Sequence, residues 1–115
     1  MKRGTIILTP FPFTDLTQNK VRPALVVSSD VRKDSDIIIA FISSVIDTNL
    51  GTDSTVILKE DDPDFNGTGL KVSSVIRADK LATIDKDIFI GELGFANTNL
   101  MRRVNEKLKT VLDLK

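Results

Sequence analysis

The chain contains no cysteine and no histidine. Disulfides and thiolate chemistry are therefore excluded, and the side chains that most often hold zinc or haem are missing. Without histidine, any acid–base chemistry falls to carboxylates, arginines and hydroxyls. Aromatic side chains amount to six phenylalanines. Net charge is zero, sixteen basic residues against sixteen acidic ones. A nucleic-acid binder usually carries a basic excess, so bulk composition does not point to one. No apolar run approaches the roughly 20 residues of a membrane helix. The basic start Met1–Gly4 leads into an apolar run that ends at Leu8, before Pro10 and Pro12. That run is too short for a secretory core and lacks a small-residue cleavage site. With no cysteine, the expected address is cytoplasmic.

What is present reads as one globular domain, residues 1–115, large enough for a single core. Ile6–Thr9, Ala24–Ser28, Ile37–Ile42 and Thr55–Leu58 are short runs rich in valine and isoleucine, long enough for strands and too short for helices. Ser73–Ile76, Leu81–Ile84 and Ile88–Leu93 are read as further short strands. Asp61–Gly69, with its proline, two glycines and three aspartates, reads as an exposed loop. Leu100, Met101, Val104, Leu108, Val111 and Leu112 recur at helical spacing, with an N-cap among Asn97, Thr98 and Asn99. Many short strands and one terminal amphipathic helix predict a mainly β fold, a small barrel closed by that helix.

Charge is unevenly placed along this pattern. Glu60, Asp61, Asp62 and Asp64 concentrate in one loop, whereas Lys20, Arg22, Lys71, Arg77 and Lys80 flank apolar strands. Such placement leaves room for a local positive groove on a neutral protein. Arg22 is the sharpest case. Pro23 fixes its own φ and pushes Arg22 into an extended conformation at a strand entrance, where proline costs no ladder donor. A guanidinium held there can fork onto a phosphate, or equally form a surface ion pair. Arg77 and Asp79, two residues apart in a strand, fall on one face. They read as a same-face ion pair or as a working pair. Ser43 ends the Ile37–Ile42 run, and its hydroxyl could serve a phosphoryl oxygen or nearby backbone. Phe11 and Phe13 alternate with prolines and suit burial or base stacking, while Phe65 is the candidate for an exposed aromatic.

Three blocks then combine: Gly4-Thr-Ile-Ile-Leu with Pro10-Phe-Pro-Phe-Thr-Asp, Val21-Arg22-Pro23-Ala-Leu-Val-Val, and Val75-Ile-Arg77-Ala-Asp79-Lys with Thr83-Ile84-Asp85-Lys86. Together and in order, they closely resemble the MazF/PemK family of toxin endoribonucleases. The resemblance implies an SH3-like β-barrel with a C-terminal helix. It implies cleavage of single-stranded RNA, often mRNA, by attack of the 2′-hydroxyl on the adjacent phosphorus. The ends left are a 2′,3′-cyclic phosphate and a 5′-hydroxyl, and neither metal nor cofactor is needed. A homodimer and an antitoxin with an acidic, disordered segment are the implied partners.

By resemblance, Arg22 stabilises charge on the phosphate and Ser43 donates to it. Arg77 acts electrostatically, and Asp79 is either base or orienting partner. Asn19, Lys20 and Lys80 are carried as RNA-binding residues, and Asp85 as a turn or cap. Some members place a histidine before the Arg-Pro motif; Thr17, Gln18, Asn19 and Lys20 stand here instead. Two other readings stay open: a non-catalytic toxin of the same fold that binds a protein such as DNA gyrase, and a decayed relative that only binds a partner.

Overall fold

The computed structural model describes residues 1–10, 21–29, 36–44 and 52–115. Six strands form one antiparallel sheet: β1 (Thr5–Pro10), β2 (Val21–Val26), β3 (Asp36–Ser43), β4 (Thr55–Leu58), β5 (Ser74–Asp85) and β6 (Gly91–Phe95). Their order across the sheet is β4-β5-β3-β2-β1-β6. One helix, α1 (Thr98–Val111), follows. The expected mainly β fold with a terminal helix is therefore present, as a curled sheet that forms half of a barrel.

The central strands are apolar without alternation because both of their faces are covered. On the inner face Ile6, Leu25, Ala40, Ile42, Val56, Leu58 and Ile76 pack against Leu100 and Val104 of α1. On the outer face Ile7, Ala24, Val26, Ile37, Ile39 and Ile84 form a second cluster, covered in part by Met1 and Phe89. Each fully buried side chain of this size contributes about 1.5–3 kcal/mol. Helix α1 starts where Asn97 accepts a bond from the Leu100 amide at 2.7 Å, so the first of the three candidate caps is the one used. Its apolar stripe fades toward the end: Leu100 and Val104 are buried, while Val111 and Leu112 are exposed.

Three expectations need correction. Ser73–Ile76 and Leu81–Ile84 are not separate strands but parts of β5. The register along β3 advances from Ala40 to Phe41 while β5 jumps from Leu81 to Arg77. Ala78, Asp79 and Lys80 are therefore extra residues in a bulge, and the polarity of Asp79 and Lys80 marks the bulge rather than a break. The Ile88–Leu93 run is not a strand throughout, because Asp85 caps a 3₁₀ turn at Lys86–Ile88 and β6 begins only at Gly91. That places Asp85 as the cap read from the sequence. The acidic loop is not simply exposed either. It holds a 3₁₀ turn at Pro63–Phe65, buries Asp64 and Thr68, and packs Phe65 half-buried against the inner core.

This loop brings the end of β4 back to β6, the far edge of the sheet. The Phe95 amide donates to the Gly67 carbonyl at 2.9 Å. A Cβ at Gly69 would lie 2.1 Å from the Leu93 carbonyl oxygen, and Gly69 has φ +75°. Only glycine satisfies both the left-handed backbone and the close approach.

Candidate functional site

Arg22 is the second residue of β2 and faces Thr9 of β1 across the ladder. β2 pairs with β1 from Val21 onward but with β3 only from Ala24, so Pro23 stands where one side of the ladder has not begun. That is the local reason the Arg22 side chain sits at an open strand end. It borders a cleft of about 320 Å³ lined by Leu8, Pro23, Ile42, Leu93 and the segment Gly69–Val72. Ser44 and Lys71 also line this cleft, and among the described residues no carboxylate does. Two cations over apolar walls make a site that favours anions, on a chain of zero net charge.

Ser43 is the last residue of β3, and Ser44 is a bend just beyond it. Ser44 lines the cleft. Ser43 lies on the face that carries Phe41, and extending the Ala24–Phe41 register by two residues sets it across from Arg22. Arg22 thus belongs to both settings. The cleft role of Ser44 is invisible to a reading that stops at the last apolar residue of the strand.

Arg77 lies on this same face, opposite Phe41. It forms a two-pronged fork onto Asp79, with Nε donating to Oδ1 at 3.0 Å and Nη2 to Oδ2 at 2.7 Å. The side-by-side placement expected from their spacing is present, and the bulge turns the pair outward. Hydrogen bonding from Arg77 is the main influence on the Asp79 carboxyl and holds its pKa below the usual carboxylate range; partial burial opposes this, and the charges of Arg77 and Lys80 add to it. Such a carboxylate is a weak base at neutral pH. The Lys80 ammonium stands 5.1 Å from the centre of the Phe41 ring, a cation–π contact beside the fork.

Arg22 and Arg77 are brought to one face but not into one cleft. β3 lies between their strands, and their rungs differ by two residues. With strands about 4.8 Å apart and a rise of about 3.4 Å per residue, the two Cα atoms are separated by roughly 12 Å. Arg77, Asp79 and Lys80 do not line the Arg22 cleft. Asn19, Lys20, Phe11 and Phe13 lie outside the described residues.

A second polar cluster ties the acidic loop to α1, and the sequence reading missed it. Asp64, only 6% exposed, accepts from Asn97 Nδ2 at 3.1 Å, Asn99 Nδ2 at 2.7 Å and Arg103 Nη1 at 2.9 Å. The same Nη1 reaches Asp62 at 2.9 Å, and Nη2 donates to the Ile57 carbonyl at 3.2 Å. Burial is the largest influence on Asp64 and pushes its pKa up, but the bonds from Arg103, Asn97 and Asn99 outweigh it and the net pKa is lowered. The available signal was the Asp62-Pro63-Asp64 triplet, with Asn97, Asn99 and Arg103 on one side of the helix start. Among the described residues no group of three or more potential ligand side chains is placed to hold a metal ion, and no helix is long and apolar enough to cross a membrane.

A family model for the PemK-like, MazF-like toxin of type II toxin-antitoxin system matches residues 2–112. No curated protein sequence matches the chain. Among solved structures, an endoribonuclease in complex with its cognate antitoxin from a mycobacterial species superposes with TM-score 0.77 at 20% identity, covering 100% of this chain and 97% of that one. The Mycobacterium tuberculosis toxin MazF-mt6 gives 0.72 at 20% identity, covering 98% and 99%. A MazE–MazF complex from Deinococcus radiodurans gives 0.72 at 19% identity, covering 100% and 97%. At such identities the likeness to these structures is one of fold.

Proposed function

The chain belongs to the PemK-like, MazF-like family of type II toxin–antitoxin toxins, and from that premise we propose that it cleaves single-stranded RNA at a phosphate gripped beside Arg22. The observation that carries this reading is the cleft that both Arg22 and Lys71 line, with no carboxylate in the lining among the described residues. A phosphodiester is the anion such a site suits, since its charge meets two cations and its attached base meets apolar walls.

In the reaction, the 2′-oxygen attacks the adjacent phosphorus and the P–O5′ bond breaks. The 2′-hydroxyl loses its proton to a base, and the departing 5′-oxygen takes one up. The products are a 2′,3′-cyclic phosphate and a 5′-hydroxyl. Arg22 neutralises charge that grows on the phosphoryl oxygens, the type of contribution preorganised donors make best. Ser43 and Ser44, at the end of β3, supply hydroxyl donors. Arg77 adds positive field from across β3, and Asp79, a weak base while forked, orients it. Asn19, Lys20 and Lys80 extend the grip along the strand of RNA. The same cationic face takes the acidic segment of a cognate antitoxin, so inhibitor and substrate compete. The toxin works as a homodimer in the cytoplasm.

The test is direct. Purified protein is incubated with mixed-sequence single-stranded RNA in EDTA, and the new ends are mapped. Cleavage with 5′-hydroxyl ends is expected, and Arg22→Ala should lower the rate by about a hundredfold or more while the melting temperature holds. Folded, antitoxin-free protein that leaves every RNA intact would refute the nuclease reading and favour a toxin that binds a protein target.

A further inference from the structure

We infer that Asp64 and Arg103 are positioning residues for RNA: their clamp on α1 sets the cleft wall that carries Lys71. The inference rests on the reading of the Arg22 cleft as the RNA site. Neither residue lines that cleft. They reach it through a run of short contacts along one loop.

Asp64 is pinned to the start of α1 by three donors, Asn97, Asn99 and Arg103. One residue later the Phe65 carbonyl accepts from the Thr68 hydroxyl at 2.7 Å, and that buried hydroxyl accepts from the Leu70 amide at 3.2 Å. Between them Gly67 bonds Phe95, and Gly69 lies against Leu93, itself part of the cleft lining. The next residues, Leu70, Lys71 and Val72, form the cleft side. Gly67 and Gly69 both have positive φ, so the loop takes a shape its neighbours must hold. The clamp is its tether at the far end. Arg22 and Ser44, by contrast, are carried on β2 and at the end of β3, which the clamp does not touch.

Loosening the clamp should therefore displace Lys71 and leave the reacting groups in place. With a single-stranded RNA oligonucleotide cut at one position, Arg103→Met should raise KM roughly tenfold, the scale of one charge-assisted contact, with kcat within about twofold. Arg103→Lys, which keeps the charge, should recover part of the loss. Lys71→Ala should raise KM similarly, and in the Arg103→Met background it should add little. Such non-additivity between two residues that do not touch is the readout a merely structural role would not produce.

If KM effects at 71 and 103 simply add, or Arg103→Met lowers only the melting temperature, the positioning role is overturned and the nuclease reading stands. If Arg103→Met does not fold, Asp64→Asn takes its place in the same cycle with Lys71→Ala. Wild-type protein that cuts no RNA removes the cleft reading itself and the inference with it.

Discussion

Two arginine–carboxylate constellations in this molecule use the same chemistry for different ends. Arg77 and Asp79 are two residues apart on a bulge, paired at 2.7 Å with side chains 21% and 30% exposed. Arg103 and Asp64 are 39 residues apart, paired at 2.9 Å with exposures of 34% and 9%. The first pair closes no loop and meets solvent, so its worth to stability is about 0–1 kcal/mol. The second joins a loop to a helix and carries a nearly buried carboxylate with three donors, where removal of one partner strands the others. Burial and sequence separation decide which ion pair builds the fold and which is left to face a ligand.

Asp64→Ala is the strongest way to test that division. Breaking a buried ion pair costs about 3 kcal/mol at the low end of the usual range, which applies because Arg103 keeps some solvent and Asp62. For a domain of this size the melting temperature should fall by about 10 °C. A fall no larger than that of Asp79→Ala would erase the contrast. Acid sharpens the same comparison. Both carboxyls have folded-state pKa values below their unfolded ones, so the unfolded chain takes up more protons as pH drops. Their contribution is complete above about pH 4 and drains as pH falls through the folded values. Denaturant melts from pH 7 to pH 3 should show a shallower acid limb in Asp64→Asn than in wild type. Asp79→Asn should change that limb less, because solvent screens the exposed fork.

The part of this molecule that is local in sequence was legible from it. Val-Ile runs gave the strands, the helical stripe gave α1, and Arg22-Pro23 marked an open strand end. Arg77 and Asp79 could be set side by side because strand geometry relates residues two apart. What failed had long-range causes. The bulge at Ala78–Lys80 comes from the β3 register, which residues 74–85 do not encode by themselves. The acidic loop looked exposed because its partners lie on α1, more than thirty residues away. Phe65 looked solvent-facing for the same reason. Lys71 joins Arg22 and Ser44 only when the loop after β4 swings across to β6. Spacing cannot show that closure; the glycines at 67 and 69 were its nearest trace.

The smallest expected effect is at Asp79, and it separates two roles. A general base contributes about 10²- to 10⁴-fold to rate, so its removal should be nearly as damaging as loss of Arg22. An orienting partner should cost much less, because Arg77 keeps its charge and its place opposite Phe41. The fork makes the base role costly: before Asp79 can accept a proton it must give up two bonds from Arg77, which already hold its pKa low. Asp79→Asn retains an acceptor for one prong and should lower kcat/KM by less than about tenfold. The acid limb of the rate profile between pH 4 and pH 8 should stay where it is in wild type. A limb that disappears in Asp79→Asn, with a rate loss beyond a hundredfold, would make this carboxylate the base and place the reacting 2′-hydroxyl at the bulge, a full strand away from the cleft beside Arg22.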